Sequence, residues 1–182
     1  MGASDESVEA MKTFFIGEKQ FGKYSMKKEL LLGHDGEHKT YHSNIKMGRE
    51  QVASVLFIHG FGEYNDRYTE MFKDTADLGY DVHAFDFHGF GYSTGARYVF
   101  SYLNLEENFK DTLKCIRQDI PLFILAHSMG GGFLLSQILK NPNLPIAGVI
   151  LSSPWFNFPD NLDMNPVTTF ICRHLPKTFD VN

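Results

Sequence analysis

The sequence has only two cysteines, no long apolar segment and no excess of basic residues. Cys115 and Cys172 are too few and too far apart for a disulfide framework or a metal site, so we expect no metal and a reducing compartment, the cytosol. We also expect no cofactor. The apolar runs are far shorter than the roughly 20 residues that a membrane-spanning helix needs. A formal charge of −5 argues against a nucleic-acid partner. The acidic, polar start does not have the pattern of a secretory signal.

The composition is that of a folded domain. The 182 residues are 43% hydrophobic and 14% aromatic, which is enough for one core of ordinary size. Residues 1 to about 12 are small, acidic and aperiodic, and this predicts a loose tail.

From residue 27 onward, short apolar runs alternate with amphipathic helical patterns. Six strands are predicted, at 27–32, 39–45, 52–58, 82–87, 121–126 and 146–151. Helical patterns cover 68–76, 105–116 and 129–140, and Asn104 is the expected cap of the second. The alternation is typical of an α/β fold, a mostly parallel sheet with helices on both faces. Such sheets carry functional residues at the carboxyl ends of their strands.

Ser128 stands between an apolar strand and a helix, in the segment Ala126-His127-Ser128-Met129-Gly130. A strand–turn–helix context predicts a nucleophile elbow, in which a sharp turn lifts the serine hydroxyl out of the backbone. The elbow needs small residues two places before and two places after the serine, and Ala126 and Gly130 fill those places. The alternative is a serine in an ordinary turn.

A second motif, His59-Gly60-Phe61-Gly62-Glu63, follows the first long strand. Acyl transfer needs two backbone N–H donors aimed at the developing oxyanion, and we expect Phe61 and Met129 to supply them. The remaining residues of the two motifs are interpreted as structural rather than catalytic: His59, Gly60, His127 and Gly130. The glycine-rich stretch after Asp86 is interpreted as a tight crossover turn.

These motifs together resemble a known family. The matching segments are 59–63, 67–68, 86–93, 95–97, 127–131 and 151–154. In this order and spacing they resemble the monoacylglycerol lipase branch of the α/β-hydrolase family, which overlaps with lysophospholipases and serine aminopeptidases. The resemblance implies ester hydrolysis of acyl glycerols or similar lipids, through an acyl-enzyme on Ser128 with Phe61 and Met129 as the oxyanion hole.

The sequence departs from the family after the nucleophile. The resemblance places the triad acid and histidine after two further strands, whereas this sequence ends at Asn182. We therefore interpret 1–24 as a flexible tail and lead-in, 25–154 as an incomplete hydrolase core and 155–182 as the start of a lid. His174, the only histidine downstream of Ser128, falls within that lid.

Two hypotheses remain open. The chain is the amino-terminal part of a serine hydrolase completed by further polypeptide, or it is a catalytically inactive structural subunit of a larger assembly. In both, the strand 146–151 is expected to be an open apolar edge that a protein partner or a further segment covers. A weak membrane-surface contact of the lid helix is a third, less favoured expectation.

Overall fold

The computed structural model describes residues 5–156, which form a seven-stranded mixed sheet with helices on both faces. The strands are β1 (Gly17–Phe21), β2 (Tyr24–Leu32), β3 (Lys39–Met47), β4 (Ala53–Ile58), β5 (Tyr80–Phe85), β6 (Leu122–His127) and β7 (Gly148–Ser152). The helices are α1 (Asp5–Lys12), α2 (Thr69–Asp77), α3 (Tyr102–Cys115) and α4 (Met129–Lys140), with a short 3₁₀ turn at Asn65–Tyr68.

The sheet has an antiparallel part and a parallel part, in the order β1-β2-β3-β5-β4-β6-β7. Strands β1, β2 and β3 form an antiparallel meander, and β3 joins it to β5 in antiparallel register. Strands β5, β4, β6 and β7 are parallel to one another. Their carboxyl ends therefore meet at one edge, where the loops that follow β4, β5 and β6 come together.

Each face of the sheet has its own apolar core. On one face α3 and α4 cover β4, β5 and β6, and buried aromatic residues such as Phe87, Phe109 and Phe133 fill the space. On the other face α1 and α2 cover a second cluster that includes Met26, Phe57 and Phe72. Burial of side chains this large stabilises the fold by about 1.5–3 kcal/mol each relative to exposure.

The structure corrects the sequence analysis near the amino terminus. The expected loose tail is wrong for residues 5–12, which form α1, because Met11 at its end is fully buried in the second core. The sheet has seven strands rather than six, because Gly17–Phe21 adds an edge strand to β2. Its residues are almost all exposed, so the strand lacks the apolar alternation by which strands are recognised.

The cap of α3 also differs from the prediction. The N-cap is Ser101, whose hydroxyl accepts the N–H of Asn104 at 3.2 Å. The amide oxygen of Asn104 in turn accepts the N–H of Ser101 at 3.1 Å, and the two residues form a capping box. Asn104 is thus the third residue of the helix rather than its cap. By contrast, the helix 129–140 and the hairpin around 33–36 are confirmed.

A buried ion pair fastens the amino-terminal segment to the sheet. Lys28 of β2 is fully buried, and its Nζ donates to Asp66 Oδ2 and to the carbonyl of Met11, each at 2.7 Å. The hydroxyl of Tyr41 also donates to Asp66. Burial lowers the pKa of Lys28, and the attraction of Asp66 offsets part of that shift. The pair joins α1, β2 and the 3₁₀ turn.

Strand β7 is the edge strand on the far side of the sheet. Successive residues of a strand point to opposite faces, yet Val149 and Ile150 are 38% and 62% exposed. Within the described residues, neither face of β7 is therefore fully covered. Across residues 5–156, the helices are too short or too polar to cross a membrane.

Candidate active site

Ser128 occupies a strained backbone conformation between β6 and α4. Its φ is 50° and its ψ is −118°, a combination that costs on the order of 1–3 kcal/mol for a residue with a side chain. Four backbone hydrogen bonds hold the turn. The Ser128 N–H donates to Ser152, and the Ser128 carbonyl accepts from Gly131, Gly132 and Trp155. These bonds join the elbow to the end of β7, to Trp155 and to the first turn of α4.

The glycines that follow Ser128 allow α4 to start against the neighbouring backbone. A Cβ built on Gly130 would lie 2.5 Å from the carbonyl oxygen of His59. One on Gly131 would lie 2.8 Å from the Cβ of Pro154, and one on Gly132 would lie 2.0 Å from the carbonyl oxygen of Trp155. These distances are shorter than real Cβ contacts, so the close approach of α4 requires all three glycines.

The loop after β4 lies directly against the elbow. A Cβ built on Gly60 would be 3.0 Å from the Cβ of Ser128 and 3.3 Å from the ring of His127. Glu63 closes the loop, because its carboxylate accepts the N–H of Gly60 at 2.8 Å and the hydroxyl of Tyr68 at 2.7 Å. Burial acts to raise the pKa of Glu63, but these hydrogen bonds outweigh it and lower the pKa.

The ring of His59 is held at both nitrogens. Nε2 accepts the N–H of Phe87 at 3.0 Å, so Nδ1 carries the proton and donates to the carbonyl of Gly60 at 2.7 Å. Complete burial lowers the pKa of His59 to about 4, which keeps the ring neutral. Because C=O and N–H of a trans peptide point in opposite directions, this hydrogen bond also sets where the Phe61 N–H points.

Two backbone N–H groups at this junction have no hydrogen-bond acceptor in the part of the chain that the structure describes. Within residues 5–156, neither the Phe61 N–H nor the Met129 N–H donates a hydrogen bond. The Met129 N–H belongs to the first turn of α4, where the helix dipole favours negative charge. The loop and the helix start thus present donors beside Ser128.

The described residues bring no base to Ser128. The Ser128 hydroxyl makes no hydrogen bond within 5–156. His127, the neighbour in sequence, faces β7 instead, with Nδ1 at 3.1 Å from the carbonyl oxygen of Ser152. His174 and the other residues of the predicted lid beyond Phe156 lie outside the described residues.

Asp86 joins the loop after β4 to the loop after β5. Its carboxylate accepts the N–H of Asn65 at 2.7 Å and that of Tyr92 at 2.8 Å. A Cβ on Gly91 would lie 1.8 Å from Asp86, so the turn requires a glycine there. Complete burial raises the pKa of Asp86 to about 7. Both of these hydrogen bonds come from backbone N–H groups.

An aromatic surface borders the junction. The ring of Phe61 lies 5.6 Å from Phe90, 5.8 Å from Tyr98 and 6.3 Å from Phe100 between ring centroids. Phe61 and Tyr98 are 38% and 52% exposed. An apolar wall of this kind can contact a hydrophobic chain of a substrate.

The sequence analysis did not assign a role to Glu63 or Tyr68. The signal is a glutamate three residues after Gly60, the same spacing by which a capping glutamate reaches back to a backbone N–H. This spacing is a weak signal, because it predicts the hydrogen bond only if the loop is already known to form a tight turn.

This chain is similar to known proteins in sequence. A family model described as serine aminopeptidase, S33, matches residues 49–180. A putative monoglyceride lipase of Schizosaccharomyces pombe is 35% identical over 115 residues, and the monoglyceride lipase of Saccharomyces cerevisiae is 33% identical over 142 residues. These matches cover 57% and 73% of this chain and 29% and 45% of the relatives. The chain therefore spans less than half of the length of these relatives.

A solved structure has the same fold. A thermostable carboxyl esterase from Bacillus coagulans superposes with a TM-score of 0.60 over 69% of this chain and 43% of the esterase. The two sequences are 22% identical. At this identity the likeness extends to the α/β-hydrolase fold and no further.

Proposed function

Because the chain belongs to the serine aminopeptidase family S33 and has the α/β-hydrolase fold, we propose that Ser128 is the nucleophile of a hydrolase for carboxylic esters of acyl glycerols or similar lipids. The observation that carries the proposal is the strained elbow at Ser128, with the loop after β4 in contact with it. A non-glycine residue at positive φ persists only where the surrounding structure supports it, and such residues cluster at active sites.

In the proposed reaction the Ser128 oxygen attacks the ester carbonyl carbon, and the carbonyl oxygen becomes an oxyanion. The N–H groups of Phe61 and Met129 stabilise that oxyanion. The C–O bond to the glycerol then breaks, the glycerol oxygen takes up the proton, and an acyl-enzyme remains on Ser128. Water hydrolyses the acyl-enzyme and returns the proton to Ser128. Each backbone donor in such a site contributes a factor of about 10²–10³ to turnover.

The proton of the serine hydroxyl needs an acceptor. Within residues 5–156 no side chain bonds to the Ser128 hydroxyl, so we propose that the histidine and its acid come from outside the described residues. Without a base, turnover in a serine hydrolase falls by about 10⁶. The residues described here would then supply the nucleophile and the oxyanion hole but not the proton relay.

Two observations support a lipid ester as the substrate. The relatives named monoglyceride lipase favour a glycerol ester. The exposed aromatic surface of Phe61 and Tyr98 favours an apolar acyl chain, because it would leave water on binding. We propose a cytosolic location on the low cysteine content, and no metal or cofactor in the ester chemistry.

Labelling with a fluorophosphonate tests the nucleophile. The probe is applied to the 182-residue chain and to the protein isolated from its source, with Ser128→Ala and Ser152→Ala as matched variants. The expected result is an adduct mapped to Ser128, absent in Ser128→Ala and retained in Ser152→Ala. Absence of an adduct on Ser128 in both preparations would remove the enzymatic proposal.

The second candidate is an inactive structural subunit, and the exposed edge strand β7 favours it. Ile150 is 62% exposed on a strand that pairs with another strand, β6, on one side only. An uncovered apolar edge in a parallel sheet favours pairing with another polypeptide. In this hypothesis the turn at Ser128 has a structural role only, and a protein partner covers β7.

Light scattering coupled to size exclusion tests this candidate. Association through β7 predicts a species larger than the 20.8 kDa chain, reduced to the monomer by Ile150→Lys. Leu139→Lys, on an exposed position of α4, is the matched control and should leave the species unchanged. A stable wild-type monomer would argue against an obligate partner.

A further inference from the structure

A second cluster of chemically active side chains lies on the sheet face covered by α3. Glu29 of β2 pairs directly with His42 of β3 in the strand register. Cys115, the last residue of α3, lies above them. One carboxylate oxygen, one ring nitrogen and the sulfur lie within 4.8 Å of one another. We propose that Glu29, His42 and Cys115 form a Zn²⁺ site, separate from the Ser128 elbow.

The donor set matches the chemistry of zinc. A thiolate, an imidazole and a carboxylate are the three ligand types that Zn²⁺ takes in proteins, whereas Mg²⁺ and Ca²⁺ take oxygen ligands. A tetrahedral site with bonds of about 2.0–2.3 Å separates its ligand atoms by roughly 3.3–3.8 Å. Glu29 Oε1 and His42 Nδ1 are already 3.1 Å apart. The fourth position would be filled by water.

The other ring nitrogen of His42, Nε2, begins a chain of hydrogen bonds that ends at a carboxylate. His42 Nε2 lies 3.0 Å from His83 Nδ1, and His83 Nε2 lies 3.3 Å from Asp81 Oδ2. With a metal on His42 Nδ1, Nε2 would carry the proton and donate a hydrogen bond to His83 Nδ1, and His83 Nε2–H would donate to Asp81. A ligand histidine with such an outer partner is the usual arrangement in metal sites.

Burial separates this cluster from an ordinary surface group of acidic side chains. The His42 side chain is 2% exposed and that of Glu29 is 24% exposed.

Two existing contacts compete with the metal. Lys27 Nζ bonds to the second carboxylate oxygen of Glu29 at 2.7 Å, which leaves Oε1 for the cluster. The Cys115 thiol donates weakly to the carbonyl of Asp111 at 3.7 Å, and burial raises the pKa of this thiol. Metal binding must therefore displace the thiol proton.

The position of the cluster separates it from the candidate active site. Strand β3 is three strands from β6 in the sheet, about 14 Å at the usual spacing of strands. The site joins the hairpin of β2 and β3 to the carboxyl end of α3, which otherwise ends at Ile116 in extended backbone. A metal there would clip α3 to the sheet without contacting Ser128.

Titration of the metal-free 182-residue chain with Co²⁺, a spectroscopic substitute for Zn²⁺, tests the proposal. We expect one Co²⁺ per chain with a thiolate-to-metal charge-transfer band in the near ultraviolet. Zn²⁺ should displace the Co²⁺, and Mg²⁺ should not. Cys115→Ser should abolish the band and weaken binding at least tenfold. Cys172→Ser, the matched control at the chain's other cysteine, should retain the band.

A second variant and a second measurement guard against misfolding. His83→Gln, which alters only the outer partner, should weaken Co²⁺ binding about 10- to 100-fold with the band still present. In the wild type, Zn²⁺ should protect Cys115 from a thiol reagent in peptide mapping. No stoichiometric binding, a band that persists in Cys115→Ser, or unprotected Cys115 would show instead that the cluster is a hydrogen-bond network without a metal.

Discussion

Gly130 lies so close to His59 that a methyl group on Gly130 would sit 2.5 Å from the carbonyl oxygen of His59. This contact brings the first turn of α4 against the end of β4. It joins the two segments from which the candidate nucleophile and the candidate oxyanion donors come.

Gly130→Ala is expected to destabilise the protein by about 1–3 kcal/mol, because the added methyl forces α4 away from β4. This loss exceeds the gain of up to about 1 kcal/mol that alanine brings to a helix interior. Urea denaturation measures the change. Gly48→Ala is the control, since a Cβ there meets no atom within 4 Å. Equal stability of both variants would contradict the close approach.

His59→Phe is expected to slow the reaction of Ser128 by about 10²–10³-fold, because the Gly60–Phe61 peptide loses the hydrogen bond that orients it. The rate of fluorophosphonate labelling measures this in the preparation that reacts. In steady state the loss should fall on kcat rather than KM. His34→Phe, at an exposed histidine, is the control. An unchanged labelling rate would remove His59 as a positioning residue.

His59→Phe also shows how the protonation of His59 makes the stability of the protein depend on pH. The pKa of His59 is about 4 in the folded protein and 6.5 in the unfolded chain, so the unfolded state binds more protons between these values. The free energy of unfolding of wild type minus that of His59→Phe should be constant above pH 6.5. This difference should fall by about 3 kcal/mol as the pH is lowered to 4. Urea denaturation at a series of pH values measures it.

The pH dependence of wild type alone is not sufficient, because the titration of Asp86 changes the free energy of unfolding in the opposite direction. We therefore compare wild type with His59→Phe. Burial raises the pKa of Asp86 to about 7, so its contribution to stability is lost as the pH rises toward that value. The two dependences overlap in wild type. A difference that does not vary with pH would mean that the His59 ring is not held neutral.

Lys28→Met is expected to destabilise the protein by about 3–5 kcal/mol, because Asp66 remains buried without its cation. Adding Asp66→Asn should recover part of that loss, which a double-mutant cycle in urea measures. Lys27→Met, one residue away and half-exposed, is the control and should change stability little. Additive losses in the double variant would show that the two charges are not coupled.

Much of the fold could be predicted from the sequence because its signals are local. The helix 129–140 follows from its apolar pattern, and the positions of His59, Asp86 and Ser128 follow from the strands that precede them. Strand β1 was missed because its pairing partner, rather than its own pattern, makes it a strand. Helix α1 was missed because the contact that stabilises it, Met11 in the second core, is distant in sequence.

The candidate site was predictable to the same extent. The elbow has a local pattern, whereas the role of Glu63 depends on a tight turn that no spacing reveals. The cluster of Glu29, His42 and Cys115 depends on the register of two strands and the length of α3. Because Cys115 is far in sequence from the other two, counting cysteines does not reveal this cluster.

The contact between Trp155 and the elbow gives the protein an internal optical reporter. Trp155 is the only tryptophan of the chain, and its backbone N–H donates to the carbonyl of Ser128 at 2.9 Å. The Trp155 side chain packs against the first core, and its backbone is hydrogen-bonded to the elbow. We therefore expect its emission to change when the serine is acylated or when a chain docks beside it, and the measurement needs no added dye.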